Sequence, residues 1–214
     1  MKVRIARLHH PVTALGPGRR IGIWTQGCAI ACPGCASRDT WVADDRHVVD
    51  VSTVLEWCAG PDPSTVDGVT ISGGEPSEQP EALTELVTGL DEFRRRYGWD
   101  VLCFTGVEYE DFVARCPRVP ALIDALVTGP YRAGEPTDLV WRGSANQRLV
   151  PIGERGRERY GRWVDARPER PPLQVQVDEG RVWLVGVPRS GDLGRLQRRL
   201  RERGIELEDV SWRP

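Results

Sequence analysis

Gly68-Val69-Thr70-Ile71-Ser72-Gly73-Gly74-Glu75-Pro76 is a short β-rich run delivered straight into a glycine turn. Two glycines and a proline cannot prolong a strand, so Glu75 and its neighbours belong to the loop at the strand's carboxyl end. The same punctuation recurs along the chain. Ile21-Gly22-Ile23-Trp24 runs into Gln26-Gly27-Cys28, Asp100-Val101-Leu102-Cys103-Phe104 into Thr105-Gly106, and Ala125-Leu126-Val127-Thr128 into Gly129-Pro130. Helical patterns fill the intervals. Asp50-Val51-Ser52 opens one that carries Val54, Leu55 and Trp57, and Gly60-Pro61-Asp62-Pro63 stops it. Leu83, Leu86, Val87, Leu90 and Phe93 recur at helical spacing, with Arg94, Arg95 and Arg96 in the last turn, where cations suit the helix dipole. A shorter helix falls near Tyr109 to Cys116. Alternating strands and helices pair in parallel through right-handed crossovers, which makes the fold α/β with its site at the carboxyl edge of the sheet.

From about residue 166 the pattern changes. After Pro168, Pro171 and Pro172, Leu173-Gln174-Val175-Gln176-Val177 alternates, Asp178-Glu179-Gly180 turns and Val182-Trp183-Leu184-Val185 returns, a hairpin. A final amphipathic helix carries Leu193, Leu196 and Leu200 on one face and Arg195, Arg198, Arg199, Arg201 and Arg203 on the rest. The reading is a core over 1–165 and a hairpin-plus-helix extension over 166–214.

The chain has 214 residues, enough for one well-buried domain and a small addition. No uncharged apolar run reaches the roughly 18 residues that a membrane span requires. The N-terminus alternates charged and apolar residues and does not read as a signal peptide, so a cytoplasmic location is expected. The net charge of −2 does not suggest a nucleic-acid binder. All but one of the 29 basic residues are arginine, spread along the whole chain.

Three of six cysteines, Cys28, Cys32 and Cys35, fall within eight residues, and Cys58, Cys103 and Cys116 are scattered. That clustering fits metal binding in a reducing compartment better than a disulfide scaffold. A closed structural zinc site takes four protein ligands, whereas three cysteines on one short loop suit a [4Fe-4S] cluster with one iron left open. Pro33-Gly34 allows a tight curl around it. A zinc knuckle, or an electron-transfer cluster completed by one of the other cysteines, is the competing reading. Cys58 in a helix and Cys103 in a strand are ordinarily explained as small buried residues. His9, His10 and His47 have no ligand-like spacing.

Cys28-Ala29-Ile30-Ala31-Cys32-Pro33-Gly34-Cys35 after one strand, with Gly73-Gly74-Glu75-Pro76 after the next, resembles the radical S-adenosylmethionine (SAM) superfamily. Within it, Cys-Pro-Gly-Cys, Thr105-Gly106, Asp124 to Tyr131 and Trp141-Arg142-Gly143-Ser144-Ala145-Asn146-Gln147-Arg148 are similar to the short activating enzymes of class III anaerobic ribonucleotide reductase. The resemblance covers about residues 20 to 150. It implies a shortened partial (β/α) barrel holding a [4Fe-4S] cluster and SAM. The reduced cluster would cleave SAM to methionine and a 5′-deoxyadenosyl radical that abstracts hydrogen. Cys28, Cys32 and Cys35 would ligate the cluster. Gly73 and Gly74 would let backbone approach the methionine moiety, Glu75 or a neighbouring carbonyl would accept from the SAM ammonium, and Pro76 would fix the turn. A flavodoxin-type electron donor is what the family implies.

Thr105 and Asp124 fall near strand ends on the expected edge and are candidates to contact SAM or substrate, though Asp124 equally suits a cap. Thr128 departs from the family, which often has Asp before that glycine. The Arg142 to Arg148 run suits an ordered lid or partner site, or a solvated loop. A short barrel with an open lateral face would suit a protein or peptide segment as substrate. Three functions stay open: glycyl-radical enzyme activation, modification of a peptide or small molecule, and a non-catalytic iron–sulfur module.

Overall fold

The computed structural model describes residues 1–178, 181–208 and 210. Strand β1 (Lys2–Val12) turns through Gly16 to Gly18 into β2 (Arg20–Thr25). After the cysteine loop come β3 (Val48–Asp50), α1 (Val51–Cys58), β4 (Gly68–Gly73), α2 (Pro80–Tyr97), β5 (Asp100–Phe104), α3 (Tyr109–Arg115), β6 (Ala125–Thr128), β7 (Arg148–Pro151) and α4 (Gly153–Tyr160). Seven strands form one sheet in the order β3-β1-β2-β4-β5-β6-β7. Its centre, β2-β4-β5-β6, is parallel, as the strand–helix alternation implies. Strands β1, β3 and β7 pair antiparallel at the flanks. β7 is not legible in the sequence: its four residues follow a run rich in hydrogen-bonding side chains and lack an alternating pattern.

Alternation along the parallel strands gives the sheet two faces. Ile21, Ile23, Val69, Ile71, Val101, Cys103 and Leu126 point to one side and pack with Val54 and Cys58 of α1, Leu83, Leu86 and Leu90 of α2, and Phe112 of α3. This helix-covered layer is the main core. The opposite, inner face carries a buried polar cluster near its amino edge. Arg20 and Asp100, both fully buried, pair at 2.6 Å, Arg20 Nε donates to Thr70 Oγ1 at 2.6 Å, and Tyr160 Oη donates to Asp100. Arg159 Nε lies 2.7 Å from the second Asp100 oxygen. Burial alone would push the Asp100 carboxyl up, but Arg20 first, then Tyr160 and Arg159, hold it below the usual carboxylate range.

The extension consists of β8 (Leu173–Asp178), β9 (Arg181–Gly186) and α5 (Asp192–Arg201), with β8 and β9 forming a separate antiparallel sheet. Its turn residues Glu179 and Gly180 lie outside the described residues. The lateral face expected to be open is partly occupied by this hairpin. Val185, buried, packs with Val12, Ala14 and Leu15, and the half-buried Trp24, Phe104 and Trp183 border that cluster. Trp183 stands edge-on to Trp24 at 5.6 Å and to His9 at 4.9 Å, and the Arg7 guanidinium lies 4.2 Å from its ring. Gln174 ties the hairpin to the β1–β2 turn, donating to Pro11 O at 2.8 Å and accepting from Thr13 N at 2.9 Å. On α5, Leu193, Leu196 and Leu200 are half-buried, and Arg195, Arg198, Arg199 and Arg201 are exposed. Among the described residues no helix is long and apolar enough to cross a membrane.

Candidate functional site

The parallel register places Thr25 opposite Gly73, and Thr105 N donates to Val127 O at 2.8 Å, so the ends of β2, β4, β5 and β6 lie side by side. Two loops meet there. The cysteine loop leaves β2 and the Gly-Gly-Glu-Pro loop leaves β4, and their backbones are joined: Gly74 N donates to Thr25 O at 2.9 Å and Glu75 N to Gly27 O at 2.8 Å. A Cβ on Gly73 would lie 2.5 Å from Thr25 N, and one on Gly74 would strike Gly27 O and lie 2.8 Å from Gly27 C. Both positions therefore require glycine for a contact within the chain itself. The expected reason, close approach to a ligand, is not needed to account for either.

The cysteine loop is held at several points. Gly27 N and Cys28 N donate to the carbonyls of Thr40 and Trp41 at 2.8 and 2.9 Å, and Ala29 N donates to Glu78 Oε1 at 2.7 Å. Ile30 turns inward against the main core, where its Cδ1 would be 2.7 Å from a Cβ on Gly106. Ala31 and Gly34 take left-handed backbone, φ 45° and 80°, which produces the curl expected around Pro33-Gly34. The three thiols end half-buried on this loop. Cys28 Sγ receives the backbone N–H groups of Ala31 and Ile30, Cys32 Sγ receives that of Tyr131, and Ser37 N lies 3.4 Å from Cys35 Sγ. Burial pushes the Cys28 and Cys32 thiols up, and these N–H groups oppose it.

The donor set fits an iron–sulfur cluster. Among the described residues no three His, Cys, Asp or Glu side chains are grouped to hold a single metal ion. Three thiols on one loop match a cluster with one iron left open, and N–H groups directed at sulfur stabilise such a centre. Cys58, Cys103 and Cys116 are all buried in the helix-covered core, and burial pushes Cys58 up to about 12 and Cys116 up to about 11.

Glu75 has a bracing role that its sequence position did not announce. Its fully buried carboxylate accepts from Ser77 N at 2.9 Å, Thr105 Oγ1 at 2.7 Å and Gly106 N at 2.6 Å, bracing the β4 loop against the β5 loop. Of the two acceptors considered for an ammonium group, Glu75 thus carries a structural duty as well, and the neighbouring backbone carbonyls are the other. Pro76 opens the short turn that Glu75 caps. Thr105 belongs to the edge through this brace. Asp124 does not: it precedes β6 and so lies at the amino edge, away from the cysteine loop. There it pairs with Arg94 at 2.7 Å and accepts from Val101 N at 2.7 Å, which makes it the cap that its sequence position also allowed. Glu78, Ile30 and the Thr40 and Trp41 carbonyls escape a reading of the sequence, since nothing local ties them to the loop they support.

The structure thus joins a three-thiol loop and a glycine-rich strand end into one braced unit, a donor set that fits an iron–sulfur cluster. Residues 14–150 match the family described as 4Fe-4S single cluster domain, and the chain belongs to that family. It is 32% identical over 137 residues to the anaerobic ribonucleoside-triphosphate reductase-activating protein of Enterobacteria phage T4, covering 63% of this chain and 85% of that one. The protein of the same description in Escherichia coli K12 is 27% identical over 152 residues, covering 65% and 93%. The pyruvate formate-lyase-activating enzyme of Staphylococcus aureus is 36% identical over 84 residues, covering 37% and 34%. A solved structure of QueE from Escherichia coli aligns with TM-score 0.43 at 16% identity, over 74% of this chain and 68% of that chain. The protein is a radical SAM enzyme of the activating group, with a [4Fe-4S] cluster and SAM as its cofactors.

Proposed function

We propose that Cys28, Cys32 and Cys35 hold the cluster, that SAM sits between it and the end of β4, and that the hydrogen abstracted comes from a glycyl-radical enzyme. The joining of the cysteine loop to the Gly-Gly-Glu-Pro loop through Gly27, Gly74 and Glu75 carries this reading, because it puts cluster ligands and ligand seat on one rigid unit. When bound, the reduced cluster supplies the electron that cleaves SAM. The chain's own groups do the rest. Backbone N–H groups at Cys28 and Cys32 oppose the upward push of burial on these two thiols. Carbonyls at Gly73 and Gly74 accept from the SAM ammonium. Glu75 orders the β4 and β5 loops so that Thr105 and Gly106 flank the seat, and Ile30 excludes water beneath it.

The relatives are activating proteins of anaerobic ribonucleotide reductase and of pyruvate formate-lyase, which supports a protein substrate whose inserted segment completes the site. A one-electron donor of flavodoxin type, a cytoplasmic location and the division of the chain at 165/166 belong to the same proposal. The test is anaerobic reconstitution, reduction by dithionite and addition of SAM. Formation of 5′-deoxyadenosine, followed by a glycyl-radical signal on an anaerobic ribonucleotide reductase encoded nearby, is the expected result. Cleavage with a mass change in a short peptide instead would establish peptide modification, and SAM binding without 5′-deoxyadenosine would leave a non-catalytic module.

A further inference from the structure

The Arg142 to Gln147 run lies between β6 and β7 and is bonded to one neighbouring loop, residues 129–135. Gln147 Nε2 donates to Gly129 O at 2.8 Å while its Oε1 accepts from Gly143 N at 2.8 Å. Asn146 Nδ2 donates to Pro130 O at 2.8 Å, Ser144 Oγ accepts from Arg132 N at 3.0 Å, and Ala145 N donates to Glu135 O at 2.7 Å. Arg142, buried, anchors the other end of the run to Val140 O at 3.2 Å and Val164 O at 2.5 Å. This run is a strap, and it fixes the loop beneath it residue by residue.

The strapped loop faces the cysteines. Tyr131 lies against the cysteine loop at Gly34, two residues from Cys32, and its backbone N–H is among the groups that oppose the rise of the Cys32 thiol. Its ring is wedged between two glycines: a Cβ on Gly143 would lie 3.0 Å from Tyr131 Cδ2, and one on Gly34 would lie 3.4 Å from Cε1. Ala133 closes on Gly34 as well, its own Cβ 3.6 Å from where a Gly34 Cβ would stand. At Gly143 a Cβ would press on the ring, whereas at Gly34 it would sit in ordinary contact with it.

We propose that the Gly143–Gln147 strap is a positioning element for the cluster, holding Tyr131 across Cys32 and Gly34 so that this ligand keeps its N–H partner and is shielded from solvent. The proposal rests on the reading of Cys32 as a cluster ligand. Cys28 gives an internal reference, because its N–H groups come from Ile30 and Ala31 of its own loop and owe nothing to the strap. Loosening the strap should therefore distinguish two cysteines four residues apart, whereas a loss of general stability would affect both.

The experiment uses the full chain in two variants. Gln147→Leu removes the bonds to Gly129 and Gly143 at similar volume, and Gly143→Ala keeps every hydrogen bond but pushes on the Tyr131 ring. In reduced apo Gln147→Leu, alkylation by iodoacetamide followed by peptide mass analysis should show Cys32 reacting about fivefold faster as the Tyr131 loop opens, the population change expected when one ordinary hydrogen bond is lost, and Gly143→Ala should raise the rate in the same direction. Cys28 should react at its wild-type rate, and reconstituted variants should lose iron to a chelator faster than wild type. If either folded variant leaves the Cys32 to Cys28 ratio unchanged, the strap is a structural tie and the proposal falls. A wild type that takes up no cluster would defeat the ligand reading, and the alkylation ratio would still decide the strap.

Discussion

Gly74→Ala tests whether the two site loops are one structural unit. The added Cβ would meet Gly27 O, with Gly27 C at 2.8 Å and Gly27 N at 3.1 Å. All three are backbone atoms, so no side chain can swing aside. Relief requires the two loops to separate, which strains the Glu75 N to Gly27 O bond of 2.8 Å. Overpacking costs about 1–3 kcal/mol and a weakened hydrogen bond about 0.5–1.5 kcal/mol, together about 2–4 kcal/mol. For a chain of this size each kcal/mol lowers Tm by about 2–4 °C, so the apo-protein should melt about 5–15 °C lower. Because Gly27 immediately precedes Cys28, iron uptake on anaerobic reconstitution should fall with it. Gly134→Ala is the control: a Cβ there has no atom within 4 Å, and Tm and iron content should hold. A Gly74→Ala protein with wild-type Tm and full iron but weakened SAM binding would refute the reasoning, since the glycine would then serve the ligand alone.

Single Cys28→Ala, Cys32→Ala and Cys35→Ala variants should each lose the cluster, about four irons per chain in the wild type by iron analysis, whereas Ala at Cys58, Cys103 or Cys116 should keep it. Arg20→Leu should destabilise by about 3–5 kcal/mol in denaturant melts, because it removes the fully buried cation beside Asp100 and leaves the partly exposed Arg159; a loss below about 1 kcal/mol would mean that the buried polar cluster is worth little. Asp100 is held below its unfolded value of about 3.9, so its contribution is complete above that pH and is lost as pH falls through the folded value; Asp100→Asn should flatten the acid limb of Tm against pH. Trp183→Ala should speed proteolysis between residues 166 and 190 and leave iron content unchanged, and equal cleavage in both proteins would mean that the hairpin is held elsewhere.

What the sequence made legible follows from range. Strand, glycine and helix are local signals, and the order in which they repeat is enough to imply a parallel centre. The cysteine loop is local too: three ligands in eight residues need no fold to be noticed. What escaped depends on partners far apart in the chain. That Glu75 braces the β5 loop shows only when Thr105 and Gly106, 30 and 31 residues on, are seen to donate to it. Asp124 reads as a site residue because it is near a strand end, and which end it is depends on where β6 begins. β7 is invisible for the same reason, since its four residues become a strand only by pairing with β6.

The hairpin changes what a substrate would meet. In the part shared with the relatives, the inner face beneath the site carries Trp24 and Phe104, each close to the end of its strand. Left uncovered, these rings would expose apolar area directly below the seat, which a docking partner would have to bury. Here Trp183 and Val185 lie against that layer, and Gln174 binds the hairpin to the β1–β2 turn through 161 and 163 residues of separation. The chain thus covers with its own extension the side of the sheet that carries Trp24 and Phe104.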